Sequence, residues 1–215
     1  METDRASAWA GVASVGLTDL AILAATVASP TFRWTGDALS DLGQPGDAAA
    51  TPVTTLLFDG GLVVGAVVGL AFALTLSRGA GHPVERVAAL PFVVALIGLA
   101  GVGVFPYSQA LHAPAAVTFY LASMVAMAAY AVGNALAGAR VRGAVTLALV
   151  GVHVAVWYWW ATGGAFTRGG LAVPEFAGAL LFGGWVVWTA RWHLAGERAG
   201  AAAPTAPSST ARTKG

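Results

Sequence analysis

Residues 52–76 read PVTTLLFDGGLVVGAVVGLAFALTL, and this segment decides the class of the protein. It runs for 25 residues with one charged side chain, Asp59. About 20 predominantly apolar residues are enough for a helix to cross the hydrocarbon core of a bilayer. The segment therefore predicts a transmembrane helix. Its glycines, Gly61, Gly65 and Gly69, predict a close contact with a neighbouring helix, because small residues four apart let two backbones approach.

Five further segments have the same character, and the chain as a whole is 57% hydrophobic and 10% charged, with a mean hydropathy of +0.73. The six predicted spans cover residues 6–29, 52–76, 86–105, 112–137, 141–161 and 173–194. The sequence thus predicts an all-α integral membrane protein whose residues 1–194 form a bundle of six transmembrane helices. Residues 195–215 are rich in Ala, Pro, Ser and Gly and lack large apolar side chains, which predicts a disordered tail.

Positive charges are distributed unevenly between the two ends of the predicted bundle. Lys and Arg are retained on the cytoplasmic side of membrane proteins. If the amino terminus is inside, nine of the eleven Lys and Arg residues are cytoplasmic, and only Arg33 and Arg168 are outside. The nine are Arg5, Arg78, Arg86, Arg140, Arg142, Arg191, Arg198, Arg212 and Lys214. We therefore expect a multi-pass protein of the cell membrane with both termini, and the tail, in the cytoplasm.

The composition excludes several kinds of chemistry. The chain has no cysteine, so it has no disulfide, no thiolate nucleophile and no cysteine metal ligand. Its one lysine, Lys214, lies in the tail, which excludes a retinal Schiff base inside the bundle. The expected partners are the lipid bilayer and a lipid or small-molecule ligand, with no nucleic acid. The oligomeric state is left open.

Three ionisable residues fall inside the predicted spans. With about 1.5 Å of rise per residue, Asp19 lies roughly 15 Å below the outer ends of the helices, Asp59 roughly 10 Å and His153 roughly 12 Å. Such groups cost several kcal/mol when they face lipid, so each is expected to face the bundle interior or a partner. Two interpretations remain. Each residue is satisfied by its own neighbour, as Asp59 would be by Thr55, or the three share one polar cavity that opens outward.

The outer loop, residues 30–51, is long for a connection between helices, and such loops are often functional. Its segment DALSDLG, residues 37–43, predicts a short helical turn that starts at Asp37 and stops at Gly43, with two leucines directed toward the bundle. Ser40 and Asp41 lie on this turn. They are candidates for catalysis, although capping of a local turn is an equally ordinary role for these residue types.

His112 stands at the predicted start of the fourth span, where the helix amino terminus favours a neutral imidazole. A neutral imidazole is a base or a metal ligand. Asp41 could orient it, with Ser40 or Ser108 as the hydroxyl partner. The alternatives are an inert interfacial histidine, or a divalent metal held by Asp41, His112 and Glu175.

No diagnostic spacing for a metal or a cofactor is present, so the cofactor is left unknown. Glu175 and Arg168 are predicted to form the rim of the site.

Three short motifs follow one another along the chain, namely Leu39-Ser40-Asp41-Leu42-Gly43, Phe58-Asp59-Gly60-Gly61-Leu62, and Gly101-Val-Gly-Val-Phe105-Pro106 with His112 downstream. In their order and spacing they resemble the prokaryotic six-helix membrane family called domain of unknown function 998, over most of residues 6–194. The resemblance implies that Asp41, Phe105-Pro106 and His112 occupy motif positions of the family. It also implies that asparagine is more usual where this chain has Asp59. The family has no settled activity, so the resemblance points to a site and not to a reaction.

Three classes of function are compatible with these observations. A lipid-processing enzyme at the membrane would use Asp41 and His112. A small-solute or cation-coupled transporter would depend on Asp19, Asp59 and His153. A non-catalytic assembly partner in the membrane would need none of these side chains. The absence of a convincing internal repeat disfavours transport.

Overall fold

The computed structural model describes residues 2–163 and 169–201. In this part of the chain there are eight α-helices and one 3₁₀ helix. The α-helices are α1 Glu2–Ala28, α2 Pro52–Gly69, α3 Phe72–Arg78, α4 Pro83–Val87, α5 Ala89–Val104, α6 His112–Leu136, α7 Arg140–Ala161 and α8 Ala172–Ala201, and the 3₁₀ helix is Leu39–Gly43.

These helices form six spans that are long and apolar enough to cross a membrane, which confirms the predicted fold class. The second span is α2 and α3, joined by an irregular turn at residues 70–71, and the third is α4 and α5, which meet at Ala88. The last helix continues to Ala201. Residues 195–201, which the sequence assigned to a disordered tail, are therefore helical, and residues 202–215 lie outside the described part of the chain.

The six spans close into a ring that follows the order of the chain. The α1 helix packs on α2, α2 on α5, α5 on α6, α6 on α7, α7 on α8, and α8 returns to α1. Inside the ring lies a cluster of aromatic side chains whose ring centroids are 5.5 to 6.2 Å apart. Its members are Phe72, Phe92, Phe119, Phe182 and Trp185.

The predicted glycine stripe lies at the contact between α1 and α2. A Cβ added at Gly61 would collide with Ala21, and one added at Gly65 would collide with the Thr18 hydroxyl. A Cβ at Gly69 would lie 2.7 Å from the Ser14 hydroxyl. The stripe thus packs within the bundle, because only glycine leaves room for α1 at these levels.

The ring has two ends. The loop end carries residues 29–51, the connection 105–111, the end of α7 and the start of α8, and the terminal end carries Glu2 and Ala201. Because the six spans alternate in direction, every predicted site residue of the outer loop and of the starts of α6 and α8 lies at the loop end. That the terminal end is cytoplasmic remains a prediction.

Candidate functional site

The 3₁₀ helix folds over the loop end of the ring. Leu39 and Leu42 are 4% and 0% exposed, which confirms that the leucines of this turn point into the bundle. The helix is attached to α2 through Thr54, whose hydroxyl donates to the carbonyl of Leu42 at 3.0 Å. A Cβ on Gly43 would collide with the Asp59 carboxylate below it, so a larger residue at this position would require that carboxylate to move.

A second set of bonds attaches the same loop to the start of α8. The Leu39 amide donates to the Glu175 carboxylate at 2.8 Å. In return, the carbonyl of Asp37 accepts the amides of Leu171 and Ala172, at 3.1 and 3.0 Å, and so satisfies donors that the helix start would leave unpaired. The side-chain oxygen of Gln44 also accepts a hydrogen bond from the backbone amide of Ser108, in the 105–111 connection, at 2.9 Å. The loop is therefore a roof that is fixed to three neighbouring elements.

Beneath this roof lies a narrow cavity of about 70 Å³. Most of its wall is apolar, and its polar side chains come from four different elements. They are Ser14, Thr18 and Asp19 of α1, Ser40 of the 3₁₀ helix, His112 and Tyr120 of α6, and Glu175 of α8. A space of this size holds a few water molecules, and the convergent polar groups give such waters their hydrogen-bond partners.

A second, larger space of about 580 Å³ lies beside the first, between α6 and α7. We call it the lateral groove. Its walls are mainly apolar side chains, including Val117, Leu121, Met124, Val154 and Trp157. Five residues line both spaces, namely Ser40, His112, Ala116, Tyr120 and Glu175. These shared residues, four of them polar, thus lie between the narrow inner cavity and the apolar groove on the side of the bundle.

His112 is the most strongly fixed of these residues. It is 5% exposed, its Nδ1 lies 2.7 Å from the carbonyl oxygen of Phe105, and its ring contacts the ring of Tyr107 edge-on at 5.5 Å. A carbonyl oxygen can only accept a hydrogen bond, so Nδ1 carries the proton. In the neutral ring the lone pair is then on Nε2, and this nitrogen is available as a base or a ligand.

Asp41 lies on the 3₁₀ helix and is bonded within its own turn. Its carboxylate accepts the amide of Ala38 at 2.8 Å and so closes the first turn of the 3₁₀ helix. In the described part of the chain no hydrogen bond joins it to His112, which is oriented by Phe105. Burial of the carboxyl raises the pKa of Asp41, and the hydrogen bond from Ala38 opposes that shift only in part. The pairing of Asp41 with His112 therefore stays a prediction, and the hydrogen bond that this carboxylate makes is to the backbone of its own turn.

The three ionisable residues of the predicted spans do not line one cavity. Asp19 lines the inner cavity, whereas Asp59 lies under Gly43 outside it and accepts no bond from Thr55, whose hydroxyl turns to the carbonyl of Leu42 instead. His153 is fully buried beside Tyr120, with ring centroids 6.1 Å apart, and neither of its ring nitrogens has a partner among the described residues. The three side chains therefore have different surroundings, and their common depth in the membrane stays a prediction.

Glu175, which was predicted to lie on the rim of the site, lies between its two spaces. It borders both spaces and holds the roof through Leu39. The other predicted rim residue, Arg168, lies outside the described residues. Within residues 2–163 and 169–201 no three His, Asp or Glu side chains are close enough to hold a metal ion together. The alternative of a metal bound by Asp41, His112 and Glu175 is thus not assembled in this structure.

Two contributors to the site were missed by the sequence analysis. The Phe105 carbonyl orients His112, and the Tyr120 hydroxyl donates to the carbonyl of Glu175 at 3.1 Å, which ties α6 to α8. The bond to Phe105 could not be predicted from residue type, because every residue has a backbone carbonyl. Tyr120 did offer a signal, because it lies eight residues after His112 and therefore close to the same helix face.

The fold and the site define a multi-pass helical membrane protein with a roofed polar site at one end of its bundle. A family model described as a protein of unknown function, DUF998, matches residues 12–192, and the chain belongs to this family. No curated protein and no solved structure matches the chain. The matched range begins within the first span and ends within the sixth, so the predicted resemblance is confirmed, and the family contributes no reaction.

Proposed function

We propose that the protein binds a membrane lipid in the lateral groove and processes its polar headgroup at His112. The observation that carries this proposal is the continuity between an apolar groove of about 580 Å³ and the polar residues Ser40, His112 and Glu175 at its end. A lipid has the same division, with an apolar chain joined to a polar group. Val117 and Leu121, on the groove wall, are 56% and 58% exposed on the bundle surface, where a bilayer would supply the chain.

The polar end supports general base chemistry. His112 Nε2 would accept the proton of a hydroxyl or a water, and that oxygen would attack an ester carbon or phosphorus of the headgroup. The proton would then pass from the imidazolium to the departing oxygen. The Ser40 hydroxyl is a candidate nucleophile, because it is buried on the same two spaces and makes no hydrogen bond with any described residue. Asp41 would contribute as a support of the turn that carries Ser40.

The proposal is tested by native mass spectrometry of the protein released from lipid nanodiscs. Met124→Trp would fill the groove, and its neighbour Val125, which is exposed on the bundle surface and outside the groove, gives the matched control Val125→Trp. We expect Met124→Trp to reduce bound lipid several-fold and the control to retain it. His112→Ala should retain the lipid and lose any turnover of it. Wild-type lipid occupancy in Met124→Trp would contradict the proposal.

A small-cation carrier is the second candidate, and it is favoured by the Asp19 and Glu175 carboxylates on the inner cavity. A cavity of about 70 Å³ is the size of a small hydrated cation and not of a lipid. In that case Asp19→Asn would abolish cation-dependent uptake in vesicles, whereas Met124→Trp would leave uptake unchanged. Loss of bound lipid in Met124→Trp would thus support the lipid function, whereas loss of cation uptake in Asp19→Asn would support the carrier.

A further inference from the structure

A second group of polar residues lies far from the roof, in the terminal half of the bundle. Each of three helices contributes a pair of polar side chains that are four residues apart, which places each pair on one helix face. The pairs are Tyr130 and Asn134 of α6, Arg142 and Thr146 of α7, and Thr189 and His193 of α8. We call these six residues the inner polar cluster. None of them entered the sequence analysis of the site.

Most side chains of the inner polar cluster are buried, and several of their polar atoms make no hydrogen bond with the described residues. Tyr130, Asn134, Thr146 and Thr189 are each at most 1% exposed. The three hydroxyl groups and the amide oxygen of Asn134 have no hydrogen-bond partner among the described residues. The same holds for three nitrogens, namely Arg142 Nε, His193 Nε2 and Nε1 of the neighbouring Trp185. More than nine in ten buried polar groups in proteins have a partner, so a cluster of this kind indicates an occupant.

The unpartnered groups lie close together. The ring of Tyr130 contacts the ring of Trp185 at 5.4 Å, and its hydroxyl faces Asn134 and Thr189 without completing a hydrogen bond to either. On α7, a Cβ at Gly143 would lie 2.7 Å from a backbone carbonyl of α6, so the two helices are in close contact at this level. Facing groups that stop short of direct hydrogen bonds are the geometry that a bridging molecule completes.

The inner polar cluster is also connected to the surface. A cleft of about 620 Å³ opens at the terminal end, and Arg142 and His193 form part of its wall. Thr146, four residues after Arg142, and Thr189, four residues before His193, each lie one helical turn deeper in the bundle, which is about 6 Å along the helix axis. The guanidinium of Arg142 lies over the Trp192 ring at 4.6 Å, which leaves its Nε directed into the protein without a partner.

The chemistry of the unpartnered atoms selects the occupant. The Nε1 of Trp185 and the Nε of Arg142 can only donate, whereas Oδ1 of Asn134 can only accept. A metal cation would leave both donors unsatisfied, and an anion would leave the amide oxygen unsatisfied. Water donates and accepts, and a buried water typically makes about three hydrogen bonds to such groups.

We propose that the inner polar cluster binds a group of ordered water molecules that continues into the terminal cleft, forming an aqueous inlet into the terminal half of the bundle. The inlet brings solvent to Tyr130 and Asn134, deep between α6, α7 and α8. It is separate from the roofed site and from the lateral groove, since no residue of the cluster lines either space. The proposal is therefore independent of any lipid function.

The absence of native cysteine allows a direct test in the full-length protein. Thr189→Cys places a thiol in the proposed inlet, and Ala190→Cys places one at the next position of α8, where the side chain is equally buried and belongs to the apolar core. Silver ion is the probe, because it is small, requires water to reach a thiol, and blocks later maleimide labelling of the denatured chain. We expect at least tenfold faster blocking at Thr189→Cys. Equal rates at the two positions, whether fast or slow, would overturn the proposal.

A second variant covers the case in which the cysteine variants do not fold. Thr189→Val keeps the shape of the side chain and removes its hydroxyl. If water fills the inner polar cluster, the variant loses hydrogen bonds and its thermal unfolding midpoint should fall below that of the wild type. If the cluster is dry, the variant removes an unsatisfied hydroxyl and its midpoint should rise, because an apolar replacement relieves the desolvation cost. A raised midpoint would contradict the inlet.

Discussion

The bond between Glu175 and Leu39 should control how often the roof opens. The Leu39 amide lies in a buried turn and donates to the Glu175 carboxylate at 2.8 Å. Glu175→Ala leaves this amide without a partner, which costs about 1–3 kcal/mol. Because about 1.4 kcal/mol is a factor of ten in an equilibrium constant, the open population of the roof should rise roughly 5- to 140-fold. Glu175→Gln keeps an acceptor oxygen for this amide, so its effect should be smaller than that of Glu175→Ala.

Hydrogen–deuterium exchange measures this opening in nanodiscs. The peptide that contains residues 38–43 should exchange faster by the same factor in Glu175→Ala, and by less in Glu175→Gln. The control is Asp47→Ala, which removes another carboxylate bond of the same loop, from Ala49 at 2.8 Å, but does not touch the 3₁₀ helix. Unchanged exchange of residues 38–43 in Glu175→Ala would refute the role of Glu175 as the anchor of the roof.

Three other predictions concern packing, orientation and pH. Gly65→Leu should lower the folded yield in detergent far more than Val64→Leu, because Gly65 lies against Thr18 of α1 whereas Val64 is exposed, and equal yields would remove the close contact. Reporters fused after Lys214 and within residues 138–142 should both report cytoplasm, since positive charges concentrate at that end, and an extracytoplasmic signal from either would reverse the orientation. Burial raises the pKa of Asp41 above 3.8, so its contribution to stability is complete below that value and is lost as the pH rises through the folded pKa. The thermal midpoint should fall over that range, Asp41→Asn should remove this part of the fall, and an identical pH profile in the variant would exclude the effect.

The sequence was sufficient for the fold because bilayer crossing depends on length and mean hydropathy, which are local properties. Six spans, the buried leucines of the loop and the glycine contact on α1 all follow from residue type and spacing. The interruption at Ala88 has a cause in the sequence as well, because it lies in the turn before Pro91, which lacks an amide donor and crowds the carbonyl four residues earlier. The interruption at residues 70–71 directly follows Gly69 and was not predicted.

The site was predictable only in part, because its geometry depends on long-range contacts. His112 was identified from its place at a helix start, but its partner is the backbone carbonyl of Phe105, which any residue would supply. Asp41 was proposed as that partner from its residue type, and the structure adds a hydrogen bond to its carboxylate from the Ala38 amide, which the sequence did not reveal. The importance of Glu175 depends on a contact with Leu39 across 136 positions of the chain, which no local spacing encodes.

The inner polar cluster shows a different limit. Tyr, Asn and Thr are ordinary residues in membrane helices, and pairs four apart occur on many of them. Only the structure reveals that the three helices that carry these pairs pack on one another and that most of the side chains are buried with unpartnered atoms. The hydropathy profile does not report such a cluster, because hydroxyls and one amide barely change the mean over a span.

The central claim is that the lateral groove holds a lipid whose headgroup lies at His112. The most direct measurement is a density map of the protein in lipid nanodiscs, at a resolution that separates acyl chains from side chains. We predict an elongated density between α6 and α7 that ends within hydrogen-bond distance of His112 Nε2. A groove that is closed by its own side chains, or ordered lipid only on other faces of the bundle, would contradict the claim.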